Sequence, residues 1–313
     1  MEQQKHNTSF FGISSFAKVP IVDVDGVWEA NAAVFGVPFD ASAGYRPGAR
    51  FGPRSIRDLS TRLCFFESSL LKKGYWDIDL KKRFLENAVL VDCGDVDVIS
   101  VNSEYTFKET VKIVEKIIKK GAIPVALGGD HSISIPCIEG FKNQGPLDIV
   151  HLDAHLDLRD SLLGAKHGHS SVIRRAMEME HVEKVASVGI RGLRTSEDDY
   201  YWAKEQGNQI ISYGEFKQAG LESVLASLDY MKNNCYVTID IDVLNVSEAP
   251  GTGTPEAEGL TYTELKKLLQ GLASTKKIVG FDLVEVNPLF DPTGITSLAA
   301  SRLIIEFLGA IIK

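Results

Sequence analysis

The chain has 313 residues, 44% of them hydrophobic and 24% charged, an ordinary globular composition with ample apolar material for a large core. General disorder and a collagenous or low-complexity chain are excluded on that ground. Thirty-four Lys and Arg against forty-two Asp and Glu give a net charge of −8, the wrong sign for wrapping a phosphate backbone, so no nucleic-acid partner is expected.

Cys64, Cys93, Cys137 and Cys235 are widely spaced and contain no C-x-x-C pair. They read as small hydrophobes in a reducing compartment, not as a disulfide framework or zinc knuckle. The start Met1-Glu2-Gln3-Gln4-Lys5-His6 lacks the apolar core of a signal peptide. No apolar run reaches the ~18 residues of a membrane span. A soluble, cytoplasmic protein with no membrane partner is the expectation.

In chain order, apolar runs rich in β-branched residues predict strands at Ala32–Val37, Ala88–Cys93, Ile123–Leu127, Asp148–Leu152, Lys184–Ile190, Gln209–Tyr213, Cys235–Ile241 and Lys277–Val284. Most are continuously hydrophobic, as strands buried on both faces of a parallel sheet must be. Helical periodicity predicts Glu104–Lys120, ending at Gly121, then Glu197–Gln206, Leu221–Asn233, Tyr262–Ala273 and Ile295–Ile312. Thr261 and Glu264 have the spacing of a capping box for the helix at Tyr262. The alternation implies one α/β domain, its sheet mostly parallel with helices on both faces. Ligands of such sheets bind beyond the carboxyl ends of the strands.

That is where the unusual residues fall. Gly128-Gly129-Asp130-His131-Ser132 follows one strand, Asp153-Ala154-His155-Leu156-Asp157 a second, and Asp240-Ile241-Asp242 a third, while a fourth ends in Glu285. In an extended chain positions i, i+2 and i+4 project together, so Asp153, His155 and Asp157 are expected on one side, as are Asp240 and Asp242. With His131 added, four carboxylates and two imidazoles converge. At ~4–6 Å, each neighbouring carboxylate pair would cost several kcal/mol unless neutralised. Two divalent cations remove that cost, with Asp153 and Asp240 shared, His131 and Asp157 serving one ion, and His155 and Asp242 the other. Oxygen-dominated ligation favours Mn²⁺ over Zn²⁺, and ligand type also admits Ni²⁺ or Co²⁺. A water shared by such a pair would lose a proton near neutrality and become a hydroxide nucleophile. Taken singly, an Asp or His after a strand is usually a cap or a satisfied loop residue, and Asp130 and Ser132 fit that description. The conjunction of all the segments carries the metal reading. His6, His151 and His181 lack such a context and read as a tail, a strand and a surface residue.

These segments, with Tyr45-Arg46-Pro47-Gly48-Ala49-Arg50-Phe51-Gly52-Pro53, Ala249-Pro250-Gly251-Thr252-Gly253-Thr254-Pro255-Glu256 and Val284-Glu285-Val286-Asn287-Pro288, resemble the ureohydrolase (arginase/agmatinase) family on its agmatinase-like branch. The resemblance implies a three-layer α/β/α fold, with residues 1–30 as an N-terminal segment and 31–313 as the ureohydrolase domain. It implies a hydrolase with two Mn²⁺ that cleaves a guanidino group to urea and an amine, usually as a trimer or hexamer. Its six ligands fall on His131, Asp153, His155, Asp157, Asp240 and Asp242. Asp157 also resembles the carboxylate that orients the nucleophile and passes a proton to the leaving amine. Glu285 matches the carboxylate holding the guanidinium, and His167 the proton-shuttle histidine.

Two departures from the branch stand out. His169-Ser170-Ser171 replaces the usual Thr-Pro-Phe, which makes His169 a candidate substrate contact. Arg159, two residues after Asp157, puts a cation where arginases carry a small amide, and a cation there favours a guanidino acid over agmatine unless Asp160 neutralises it. The arginase loop that recognises an α-amino acid is shorter here, which disfavours L-arginine. Guanidine or another amidino compound is an alternative substrate. A single-zinc deacetylase of the same sheet architecture is a rival by analogy, and a non-catalytic metal scaffold a third reading. Gly251-Thr252-Gly253-Thr254-Pro255 lacks the register and lysine of a phosphate loop and reads as a tight turn.

Overall fold

The computed structural model describes residues 9, 11–63, 74–162 and 164–312. Cys64 and His6 lie outside the described residues. The strands are β1 (Ala32–Val37), β2 (Tyr75–Asp77), β3 (Lys82–Phe84), β4 (Leu90–Asp95), β5 (Ile123–Gly128), β6 (Leu147–Leu152), β7 (Val182–Ile190), β8 (Gln209–Ser212), β9 (Asn234–Asp240) and β10 (Lys277–Val284). Eight of them form one sheet in the order β4-β1-β5-β10-β9-β6-β7-β8, every neighbouring pair parallel. All eight were expected from the apolar runs, because strands such as β1 and β6 are buried along their whole length and carry little else. The antiparallel pair β2–β3 gave no such signal, being short and largely exposed.

The helices are α1 (Gly52–Ser60), α2 (Ser103–Lys119), α3 (Ser134–Glu139), α4 (Val172–Met177), α5 (Glu197–Glu205), α6 (Tyr213–Ala219), α7 (Leu221–Ser227), α8 (Tyr262–Thr275) and α9 (Ile295–Ile311). One core lies between the sheet and Ile56 of α1, Leu265 and Leu268 of α8, and Leu303 and Ile304 of α9. The other lies between the opposite face and Val114 and Ile117 of α2, Ile138 of α3 and Ile173 of α4. Three layers result, as expected.

Most boundaries shift from the expected ones by a residue or two, and two differences have a clear local cause. The strand expected to reach Tyr213 ends at Ser212, because Ser212 and Glu215 form a capping box that starts α6. The helix expected over Leu221–Asn233 stops at Ser227, after which the chain turns and Met231 enters the core. The capping box of α8 forms as its spacing predicts, with Thr261 accepting from the Glu264 N–H and Glu264 from the Thr261 N–H. Such a cap stabilises a helix by roughly 1 kcal/mol. Burial of Leu265, Leu268, Leu269 and Leu272 contributes more, about 1.5–3 kcal/mol each.

Part of the expected N-terminal segment packs into the domain: Phe16 and Val19 are buried in the core, and the Phe16 N–H donates to Asp92 at 2.8 Å. Among the described residues no helix is long and apolar enough to cross a membrane.

Candidate active site and metal centre

The carboxyl ends of β5, β6, β9 and β10 lie side by side in mid-sheet. Beyond β5, Gly129 runs against the backbone of Phe39 so closely that a Cβ there would overlap the Phe39 carbonyl. Asp130 then caps a 3-10 turn, His131–Ile133, by accepting the Ser132 N–H at 3.1 Å. The modest cap reading therefore holds for Asp130. His131 leaves that turn fully buried.

Asp153, His155 and Asp157 do not converge by extended-chain alternation. The strand ends at Leu152, and Asp157 sits in the left-handed region at φ 49°. That conformation costs a non-glycine residue roughly 1 kcal/mol or more and redirects the loop, so the loop gathers these side chains. Asp240 likewise ends β9 and accepts the Asp242 N–H at 2.8 Å, capping the turn Ile241–Val243.

His131 Nδ1 lies 3.0 Å from Asp153 Oδ2, 3.2 Å from Asp157 Oδ2 and 3.4 Å from Asp240 Oδ2. His155 Nδ1 lies 3.1 Å from Asp242 Oδ2 and 3.4 Å from Asp153 Oδ1. All six expected ligands come together, in two groups to which Asp153 contributes one oxygen each. His131 Nδ1 is buried and has no aligned hydrogen-bond partner, although three carboxylates face it. Burial, then the charges of Asp242 and Asp153, push the Asp240 carboxyl well above its ordinary value. Burial would raise Asp153 too, but His151, His131 and His155 hold it well below. Burial pulls His155 down, yet Asp242 and Asp153 carry it well up. These groups compete for protons that divalent cations would make unnecessary. The donor set fits one or two hard or borderline cations.

Glu285, the residue after β10, also adopts a left-handed backbone, at φ 64°. Its Oε1 accepts the His131 N–H at 2.9 Å, and burial with nearby Asp130 pushes its carboxyl well up. A Cβ on Gly253 would lie 3.3 Å from Glu285 Oε2, so the glycine-rich turn walls this carboxylate.

A cavity of about 330 Å³ adjoins these residues, lined among others by His131, Asp157, Asp240, Glu285, Arg159, His169 and Arg194. Arg159 forms no ion pair among the described residues. Asp160, expected as its neutraliser, pairs with Arg175 at 2.8 Å instead. His167 is exposed, is not among the cavity residues, and sets its ring edge-on to Phe107 at 6.2 Å. His169, two residues on, occupies the cavity wall that His167 was expected to reach. Its Nδ1 lies 3.2 Å from Ser42 Oγ, whose hydrogen is given to Asp130 Oδ2 at 2.6 Å. Nδ1 is thus the donor to Ser42 Oγ.

Several residues went unrecognised in the sequence. His151, read as a plain strand residue, places Nε2 2.8 Å from Asp153 Oδ2. Glu256 Oε1 lies 3.4 Å from His155 Nε2. A buried chain links His131 Nε2 to Thr238 Oγ1 at 2.8 Å, and Thr238 to Asp282 at 2.6 Å. The usable signal was polarity out of place, since His151, Thr238 and Asp282 interrupt runs otherwise buried and apolar. Arg194 gave no signal. His181, read as a surface residue, donates from Nε2 to the Ile138 carbonyl at 3.1 Å.

Comparison with known proteins agrees with this arrangement. The Arginase family model matches residues 30–309. The chain is 33% identical over 308 residues to the mitochondrial guanidino acid hydrolase of Homo sapiens, covering 96% of this chain and 84% of that one. It is 36% identical over 288 residues to the agmatinase of Bacillus anthracis, covering 91% and 93%. The structure of proclavaminate amidino hydrolase from Streptomyces clavuligerus superposes with a TM-score of 0.86 at 29% identity, covering 97% and 98%. With the parallel sheet, the clustered Asp and His side chains and a match over nearly the whole chain, this protein belongs to the arginase family as one of its agmatinase-like ureohydrolases.

Proposed function

We propose that this chain hydrolyses a small guanidino acid to urea and an amino acid, using two divalent cations, Mn²⁺ first among them. His131, Asp153, Asp157 and Asp240 would hold one, and Asp153, His155, Asp240 and Asp242 the other. When bound, the pair neutralises the carboxylates and lowers the pKa of water enough to supply a nucleophile near neutral pH. The observation that carries this reading is the shared Asp153, with one oxygen 3.0 Å from His131 Nδ1 and the other 3.4 Å from His155 Nδ1.

The remaining roles follow from what each side chain touches. Glu285 offers the guanidinium a carboxylate already fixed by the His131 N–H, so a two-point cation contact costs little further ordering. Asp157 lies 3.2 Å from His131 Nδ1 and also lines the cavity, and it takes the nucleophile's proton and returns it to the leaving amine. His169, on the cavity wall, passes to solvent the other proton, the one released when the water ionises, the role first expected of His167. Arg159 and Arg194 give the cavity wall positive charge, which attracts a carboxylate tail and repels the ammonium of agmatine.

Agmatine is the second reading, favoured by Asp199 on the same lining. Urea release by the Mn²⁺-loaded protein across 3-guanidinopropionate, 4-guanidinobutyrate, agmatine, L-arginine and guanidine decides between them. Preference for a guanidino acid is expected, and fastest turnover of agmatine would reject the assignment. One zinc per chain with no urea from any compound would favour the deacetylase-like alternative. A homo-oligomer and a cytoplasmic location complete the proposal, to be tested by light scattering and by fractionation.

A further inference from the structure

Asp282 is a carboxylate in the middle of the central strand β10, wholly buried, with no Lys, Arg or His ion pair among the described residues. Its two oxygens receive hydroxyl hydrogens instead, from Tyr236 at 2.8 Å and from Thr238 at 2.6 Å. A hydroxyl has one hydrogen, and Thr238 spends its own on Asp282. The contact of Thr238 Oγ1 with His131 Nε2 at 2.8 Å is therefore one in which the ring donates. The Ser134 hydroxyl, 3.2 Å from Thr238 Oγ1, is a donor by the same count. His131 Nε2 thus carries the hydrogen, and Nδ1 points a lone pair at Asp153, Asp157 and Asp240.

From this chain of contacts we infer that Asp282 is a positioning residue which, acting through the Thr238 hydroxyl, locks His131 in the Nε2–H tautomer and so sets the affinity of one ion only. The inference rests on the two-cation reading above. A carboxylate behind a ligating imidazole also makes it a better donor, and loss of such a partner typically weakens a metal roughly 10- to 100-fold. Among the described residues no comparable hydroxyl relay stands behind His155, whose Nε2 faces the partly exposed Glu256. The two sites should therefore respond differently when Asp282 is altered.

The test uses the full chain stripped of metal and titrated with Mn²⁺ by calorimetry, with the metal-free melting temperature recorded for each variant. Asp282→Asn keeps the volume and Thr238→Val keeps the shape, while Thr238→Ser keeps the hydroxyl. Asp282→Asn and Thr238→Val are expected to bind one ion as the parent does and the other about 10- to 100-fold more weakly. At limiting Mn²⁺ their kcat falls with KM unchanged, and excess Mn²⁺ restores it. Thr238→Ser restores the second ion, which a packing defect would not explain. If Thr238→Val does not fold, Asp282→Asn and Thr238→Ser still give both arms. A parent chain that binds fewer than two ions overturns the two-cation reading itself. A tight pair in the parent and also in folded Asp282→Asn overturns the relay alone, as does a Thr238→Ser chain no better than Thr238→Val.

Discussion

Asp160 gives its carboxylate to Arg175 at 2.8 Å and leaves its sequence neighbour Arg159, on the cavity wall, without an ion pair among the described residues. Arg159→Ala should therefore lower kcat/KM for 4-guanidinobutyrate about 10-fold, the value of losing one partly exposed charge-assisted contact. Agmatine turnover should be unchanged or improved. Steady-state kinetics on both compounds check this, and an unaltered ratio would remove Arg159 from the specificity wall.

Asp153 serves both groups of ligands, whereas Asp242 meets His155 and not His131. Asp153→Ala should abolish binding of the pair, while Asp242→Ala should leave one ion. Elemental analysis after gel filtration reads both numbers directly. Chelation of the parent should stop urea release, and added Mn²⁺ should restore it.

His169 and His167 separate cleanly by position. His169→Ala should reduce kcat about 100-fold, a typical contribution of a proton-transfer group, and added imidazole should recover part of it. His167→Ala, whose ring lies outside the cavity, should stay within about twofold of the parent. Equal losses in the two variants would refute the assignment of the shuttle to His169.

Gly129→Ala should fail to give soluble, active protein, because the new methyl collides with the Phe39 backbone and cannot rotate away. By contrast Gly253→Ala meets atoms at 3.3 Å, tight but tolerable, and should fold while weakening guanidinium binding at Glu285. Circular dichroism melting together with KM distinguishes the two outcomes.

The capping carboxylate Glu264 gives a pH dependence. Burial would raise it, but bonds from Lys217 and Thr261 hold it below its ordinary 4.5. A carboxyl lowered in the folded state contributes stability that is complete above the unfolded value and disappears as pH falls through the folded one. Glu264→Gln should therefore destabilise the protein at pH 7 and progressively less below about 4.5. Melting curves of parent and variant across that range should converge in acid.

The sheet and the candidate ligands were legible for one reason. A strand buried on both faces must be continuously apolar, so Asp153, Asp240 and Glu285 stood out as charge placed immediately after such runs. How the ligands meet was less legible. The left-handed turns at Asp157 and Glu285 belong to residues without a glycine's signature, so the sequence suggested extended alternation where a loop does the gathering. Sequence alone points to His167 as the shuttle and to His169 as a candidate substrate contact; both flank one glycine, so nothing local shows that His169 lines the cavity and His167 does not. Arg194 comes from a loop with no pattern of its own and becomes meaningful only through its distance in space from the cluster.

β10, the last strand of the chain, lies between β5 and β9 at the middle of the sheet. During synthesis the two flanks of the sheet therefore wait for their keystone until a segment later than both has left the ribosome. A nascent or prematurely stopped chain lacking it would carry two unpaired strand edges and the carboxylates of Asp153 and Asp240, but neither Asp282 nor Glu285. Enzymatic competence is consequently withheld until β10 has been made.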